Sequence, residues 1–149
     1  MSDETHWYDD VVIPALLRGA RRTYAAAIRN ALVEAGYDDM PRNGAFVVGS
    51  ISRNGSPLSE VIEYLGLSKQ RSGQLVDELV NAGYLAREPD PTDRRRMTVT
   101  LTGRGAAAAA ASKAAVEGVD AELVARVGAE AVAQGRRALG ALIDMEPVR

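Results

Sequence analysis

The stretch LSKQRSGQLVDELVNAGYLAREPDPTDRRRMTVTLTGRG, residues 67–105, decides the fold of this chain. Its first part has apolar residues at helical spacing and begins after Ser68, which can cap a helix. The pattern then changes to strand-like alternation in YLARE (84–88) and MTVTLT (97–102). The segment PDPTDRRR (89–96) favours a turn and ends in three arginines. The stretch therefore predicts a helix followed by a β-hairpin with a cationic tip.

A second short helix is predicted directly upstream. Ser56-Pro57 is typical of a helix start, with the serine as cap and the proline as the first helical residue. Val61, Ile62 and Leu65 would give this helix one apolar face before Gly66 ends it. Two short helices joined by a tight turn that contains glycine form a helix-turn-helix unit.

Longer helices are predicted on both sides of this unit. Residues 11–35 follow the spacing of an amphipathic helix, and Pro41 suits the first turn of a second helix. Downstream, Thr102 can cap a helix that contains six consecutive alanines and breaks near Gly128, before a last helix. The predicted fold class is mainly α with a small β wing.

Length and composition narrow the class of protein further. A chain of 149 residues suits one domain. Without cysteine, and with His6 as the only histidine, neither a disulfide nor a metal site is expected. No apolar run reaches the ~18 residues of a membrane span, and the acidic start lacks the basic region of a secretory signal, so we expect a cytoplasmic protein with no membrane contact.

One motif of nucleotide-binding enzymes occurs by chance. Gly103-Arg104-Gly105 with Ala108 satisfies G-x-G-x-x-A between a strand and a helix. That fingerprint requires a βαβ unit, whereas everything after Thr102 is predicted to be helical. The chain also lacks a recognisable catalytic set of residues, so we predict neither an enzyme nor a cofactor.

A helix-turn-helix followed by a hairpin is a DNA-docking arrangement, in which the second helix enters the major groove and the wing reaches the backbone or minor groove. The formal net charge of −2 is unusual for such a protein, but residues 69–96 carry more basic than acidic side chains. If the apolar residues of the second helix face the core, hydrogen-bond donors face outward at its start: Ser68, Lys69, Gln70, Arg71, Ser72 and Gln74. The alternatives are a solvated helix face and arginines that only protect an exposed hairpin edge.

The chain resembles the MarR family of transcriptional regulators. The resemblance is carried by LVDELVNAGYL (75–85), DPTDRRR (90–96) and LTGRG (101–105), in the family's order and spacing. It implies a homodimer on a short pseudo-palindromic DNA site, with residues 1–149 as one unit. The winged-helix DNA-binding lobe would be residues 40–102, between dimerisation helices in residues 11–36 and 103–145.

The resemblance also implies roles for individual wing residues. Arg95 would enter the minor groove, Asp93 would orient it, and Arg94 would contact a phosphate, with Arg96 beside them. The recognition helix departs from the family pattern at Ser72-Gly73, where an apolar residue is common at the first position.

The function implied is that of a DNA-binding regulator, most often a repressor. Many relatives bind small aromatic or phenolic ligands between the dimerisation helices and the DNA-binding lobe, and such a ligand would change the spacing of the two recognition helices. The candidates for this pocket are Trp7, Tyr8, Arg21, Tyr24 and Phe46. The alternative is that the aromatic ones are core residues, as aromatics on amphipathic helices more often are. The alternative function is a dimeric winged-helix module that contacts only protein.

Overall fold

The computed structural model describes residues 5–54 and 57–145. This part of the chain folds into six helices and one two-stranded sheet, which confirms the predicted fold class. In chain order the elements are α1 (Ile13–Glu34), α2 (Gly44–Asn54), α3 (Leu58–Leu65), α4 (Lys69–Asn81), β1 (Leu85–Pro89), β2 (Met97–Leu101), α5 (Gly103–Val127) and α6 (Ala129–Ile143).

The core lies where the early helices meet α5. α5 packs along α1 and α2, and its fully or nearly buried alanines, Ala108 and Ala109, permit a close approach. The helix-turn-helix contributes Val61, Leu75 and Leu79 to the same core. The helix-turn-helix therefore shares one core with the first half of α5, while α3 packs on α2 and α4 packs on β1.

Most of the predicted helix boundaries agree with the structure. Ser68 caps α4 by accepting a hydrogen bond from the Arg71 amide at 3.1 Å, and Gly66 and Gly83 end α3 and α4 with φ values of 62° and 81°. These positive φ values are ones that glycine adopts without strain. Gly128, with φ 86°, separates α5 from α6 as expected.

The predicted starts of α2 and α3 were wrong by a few residues. Pro41 precedes α2, and its carbonyl accepts from the Gly44 amide in a turn. Pro57 has an extended ψ of 141°, so it lies before the first residue of α3 instead of being that residue. The cap predicted at Ser56 lies outside the described residues.

The two strands pair antiparallel, from Leu85 opposite Leu101 to Pro89 opposite Met97. Val99 and Leu101 of β2 pack against the core as the alternation predicts, but Met97 is exposed, and Thr98 and Thr100 are as half-buried as their neighbours. The hairpin extends away from the core, and only its open end, at Leu85, is fully buried. No helix in the described part of the chain is long and apolar enough to cross a membrane.

Candidate nucleic-acid interface

The start of α4 presents polar side chains to solvent. Lys69, Gln70 and Gln74 are exposed, as the sequence predicts for a recognition helix. Lysine can hold a phosphate, and glutamine can make paired hydrogen bonds to a base edge. Ser68 is also exposed, but its hydroxyl is already used as the cap of α4.

Two of the predicted α4 contacts are placed differently. Ser72 is only 9% exposed, so the prediction that it faces outward was wrong. It shares a helix face with buried Leu75 and Leu79, three and seven residues further on. Its Oγ has no hydrogen-bond partner among the described residues. Arg71 is half-buried, and its Nη1 is 3.0 Å from the Glu78 carboxylate on the same helix.

The wing tip, residues 90–96, is ordered by its own acidic residues. Asp90 Oδ1 accepts from the amide and the hydroxyl of Thr92 at 2.8 and 2.7 Å, and the Thr92 hydroxyl is the main cause that lowers the pKa of Asp90. Asp93 Oδ1 accepts from the Arg95 amide at 3.1 Å. This differs from the expected role of Asp93, because its carboxylate holds the backbone of Arg95 and not the guanidinium.

The three tip arginines, Arg94, Arg95 and Arg96, are all exposed. Within the described residues none of them lies within 4.0 Å of a carboxylate, whereas Arg87 at mid-strand is 2.5 Å from Asp77 of α4. The ion pair of Arg87 ties β1 to α4, whereas the three tip arginines make no ion pair within the described residues.

The wing base is fixed by a cluster that the sequence did not reveal, the Tyr84 cluster of Asp39, Tyr84 and Arg104. The Tyr84 hydroxyl donates to the Asp39 carboxylate, and Arg104 Nη2 reaches Asp39 at 2.9 Å. The Arg104 guanidinium also lies 4.7 Å from the centre of the Tyr84 ring, and its Nε donates to the Ala82 carbonyl at 3.1 Å.

Burial and neighbouring charges shift the pKa values of Tyr84 and Asp39 in the Tyr84 cluster. Burial of Tyr84, with its hydrogen bond to Asp39, raises the pKa of the phenol to about 12. The same hydrogen bond, helped by the charge of Arg104, lowers the pKa of Asp39. At neutral pH the cluster therefore consists of a carboxylate, a neutral phenol and a guanidinium.

Thr102 and Gly105 join the wing to α5. The Thr102 hydroxyl lies 3.0 Å from the Tyr84 carbonyl and accepts from the Gly105 amide at 3.0 Å. A Cβ on Gly105 would overlap the Tyr84 carbonyl oxygen and lie 2.7 Å from Leu101 Cδ1. Gly105 is therefore required by the close approach of α5 to the wing base. In the sequence, this junction corresponds to the motif LTGRG (101–105), which contains both Thr102 and Gly105.

A cleft of about 1090 Å³ lies between α1, α2 and α5. Arg21, Tyr24 and Phe46 line it, as three of the five pocket candidates. Trp7 and Tyr8 are outside its lining and pack edge to face with each other before α1. Tyr24 donates to Asp120 at 2.5 Å, and this hydrogen bond raises the pKa of Tyr24.

A helix-turn-helix followed by a two-stranded wing, with long helices before and after it, defines a winged helix-turn-helix protein. Residues 38–96 match the MarR family model. No curated protein matches the chain in sequence.

The fold is similar to several solved structures of this class. A crystal structure of MarR is 20% identical, with 94% of each chain covered and a TM-score of 0.73. The reduced form of MarR from E. coli is 23% identical, with 90% of this chain and 98% of that chain covered and a TM-score of 0.70. MepR of S. aureus, solved as a complex with DNA, is 17% identical, with the same coverage and TM-score. The match of the MarR family model over residues 38–96 confirms the resemblance found in residues 67–105, and the fold of the described residues is that of the solved MarR-type structures.

Proposed function

We propose that this protein is a sequence-specific DNA-binding transcriptional regulator that acts as a homodimer on a pseudo-palindromic operator, as a repressor. In this proposal Lys69, Gln70 and Gln74 of α4 face the major groove. The lobe of residues 40–102 reads DNA, and helices in residues 11–36 and 103–145 hold the two copies together.

The observation that carries this proposal is the unpaired charge at the wing tip. Three exposed arginines occur in sequence on a turn whose backbone is fixed by Asp90 and Asp93. Three adjacent exposed arginines favour an anionic partner, and a narrow minor groove offers the negative potential that attracts arginine. Arg95 is the residue we assign to the groove, with Arg94 and Arg96 beside the phosphates.

A homodimer is supported by exposed apolar side chains at both ends of the chain. Those on the terminal helices and the segments next to them are Trp7, Tyr8, Val12, Ile13, Leu17, Val33, Leu123, Val124, Val127, Leu139, Leu142, Ile143 and Met145. Ile143 alone is 81% exposed, and fully burying such a side chain contributes about 1.5–3 kcal/mol. Pairing of the chain ends would remove this apolar surface from water.

Release from DNA by a small aromatic ligand is the regulatory part of the proposal. The cleft between α1, α2 and α5 adjoins both the dimerisation helices and the lobe, and Phe46 and Tyr24 offer aromatic surface there. A ligand that changes the angle between lobe and helices would move the two recognition helices away from their spacing of about 34 Å on successive major grooves.

The test is selection of bound fragments from the source genome with the full chain, followed by titration of the recovered sequence at several salt concentrations. We expect pseudo-palindromic sites, an affinity that falls steeply as salt rises, and a light-scattering mass of twice one chain. Failure to bind any fragment above non-specific levels at moderate salt would contradict the proposal.

The competing function is a dimeric winged-helix module that contacts only protein. Its signature would be a dimer in which Arg94→Ala and Arg95→Ala together leave the regulatory phenotype unchanged. The wing tip favours the DNA-binding function, because a protein contact would not need three adjacent arginines without a local counterion.

A further inference from the structure

The lining of the cleft between α1, α2 and α5 is strongly cationic. It contains six arginines and one lysine but only one carboxylate, Asp38, in a chain whose formal net charge is −2. The arginines come from three parts of the chain, since α1, the α1–α2 loop and α2 all contribute: Arg18, Arg21, Arg22, Arg29, Arg42 and Arg53. The excess of positive charge is therefore a property of the cleft and not of the whole surface.

The cleft arginines also differ from those elsewhere in how they are paired. Of the six described arginines outside the cleft and the wing tip, five lie within 4.0 Å of a carboxylate: Arg71, Arg87, Arg104, Arg126 and Arg136. The sixth, Arg137, donates a hydrogen bond to Gln134. Among the described residues, none of the six cleft arginines has such a partner. Within residues 5–54 and 57–145, the cleft and the wing tip are thus the two places where several guanidinium groups lie together without an ion pair.

On α1 the charges follow one face of the helix. Arg18, Arg22 and Arg29 are spaced by four and seven residues, with Ala25 between them, and all four line the cleft. Like charges four residues apart destabilise a helix by about 0.2–0.5 kcal/mol per pair. A bound anion would remove this repulsion, and each guanidinium can hold a carboxylate or phosphate with two hydrogen bonds.

We infer that the cleft binds a small molecule that carries at least two negative charges, on phosphate or carboxylate groups. This inference rests on the proposed function, in which the cleft is the ligand site, and it specifies the charge of the ligand. The apolar part of the lining, with Ile28, Leu32 and Phe46, accommodates the body of the ligand, while the arginines of α1, the α1–α2 loop and α2 hold its charged groups.

The test is calorimetric titration of the full chain without DNA, using benzoate, inorganic phosphate, citrate and tripolyphosphate as probes. We expect the multiply charged probes to bind about tenfold or more tighter than benzoate, and this advantage to shrink between about 50 and 200 mM salt. Citrate and tripolyphosphate differ in their acidic groups, so their relative affinities show whether carboxylate or phosphate is preferred.

Matched variants locate the binding. Arg22→Gln with Arg29→Gln should weaken tripolyphosphate binding about tenfold or more, and Arg42→Gln with Arg53→Gln should do the same from the α2 side. Arg126→Gln, which removes a paired arginine on α5, should leave binding unchanged. Circular dichroism checks that each variant keeps its helices.

Two results would overturn the inference. One is benzoate binding as tightly as the multiply charged probes, and the other is wild-type tripolyphosphate affinity in both double variants, which would assign the binding to the wing tip. Because the titration contains no DNA, a protein that fails to recognise any operator would still give a clear result for the cleft.

Discussion

The two ends of the wing are built on opposite principles. At the base, Tyr84 and Arg104 make side-chain hydrogen bonds to Asp39, and Gly105 lets α5 approach the Tyr84 backbone. At the tip, the backbone is held by Asp90 and Asp93, and the arginine side chains have no carboxylate partner in the described part of the chain.

This difference separates stability from binding within one hairpin of about twenty residues. Substitutions at the base should change the free energy of unfolding, because they disturb buried packing. Substitutions at the tip should change the affinity for DNA and leave folding intact, because exposed side chains contribute little to stability.

The largest effect is expected at the base, from Gly105→Ala. The added Cβ would overlap the Tyr84 carbonyl oxygen, which is backbone and cannot rotate away, so we expect a loss of about 3 kcal/mol in the free energy of unfolding. Urea denaturation measures it. Gly103→Ala is the matched control, because its Cβ would meet nothing within 4 Å. Equal stabilities for the two variants would contradict the close approach described here.

The next largest effect is expected at the tip, from Arg95→Ala. Loss of one groove-inserted arginine should weaken operator binding by about 2 kcal/mol, or roughly 30-fold, and reduce the salt dependence. Fluorescence anisotropy measures the affinity, and the urea midpoint should stay at the wild-type value. If Arg95→Ala bound the operator normally, or had a clearly lower urea midpoint, the expected separation of binding at the tip from stability at the base would be wrong.

A smaller and pH-dependent effect is expected from Tyr84→Phe. The phenol has a pKa raised from 10.0 to about 12, so its contribution to stability is complete below pH 10 and is lost as the pH rises from 10 towards 12. At neutral pH the variant should lose about 1 kcal/mol through the missing hydrogen bond to Asp39.

Denaturation midpoints at a series of alkaline pH values test this expectation. The wild-type protein should lose stability more steeply than Tyr84→Phe over that interval. Tyr64→Phe, at a residue that is 80% exposed, serves as the control and should follow the wild-type curve. Parallel curves for Tyr84→Phe and the wild type would contradict the raised pKa of the Tyr84 phenol in the folded protein.

The smallest effect is expected from Asp93→Ala. The variant loses only the hydrogen bond from the Arg95 amide, so DNA affinity should fall about threefold through a less ordered tip, with a change of about 0.5 kcal/mol or less in stability. Comparing its DNA affinity with that of Arg95→Ala shows whether the ordered backbone of the tip or the charge of Arg95 contributes more to binding. A loss as large as that of Arg95→Ala would show that Asp93 also acts on the guanidinium.

Local patterns predicted the elements well and the contacts between distant residues poorly. Ser68, Gly83, Thr102 and Gly128 were identified from their own neighbours, since caps and turns depend on nearby backbone geometry. Asp39 could not be connected to Tyr84, 45 residues away, because no pattern in one sequence relates the two positions.

The candidate site was predicted in outline, and the errors have physical reasons. Ser72 was expected to be exposed because serine is polar, but its position on the face of Leu75 buries it. The cationic face of the cleft could have been found earlier, from the helical spacing of Arg18, Arg22 and Arg29. Trp7 and Tyr8 were chosen for their aromatic character alone, without a geometric reason.

The pairing of the wing ends at Pro89 opposite Met97, far from its anchorage, and this makes the hairpin an arm of adjustable reach. Two residues inserted into each strand would lengthen it by about 7 Å while keeping every side chain on its original face. The helices would not have to move, so under the proposed function a longer arm would reach further along the minor groove while the spacing of the two recognition helices stayed the same.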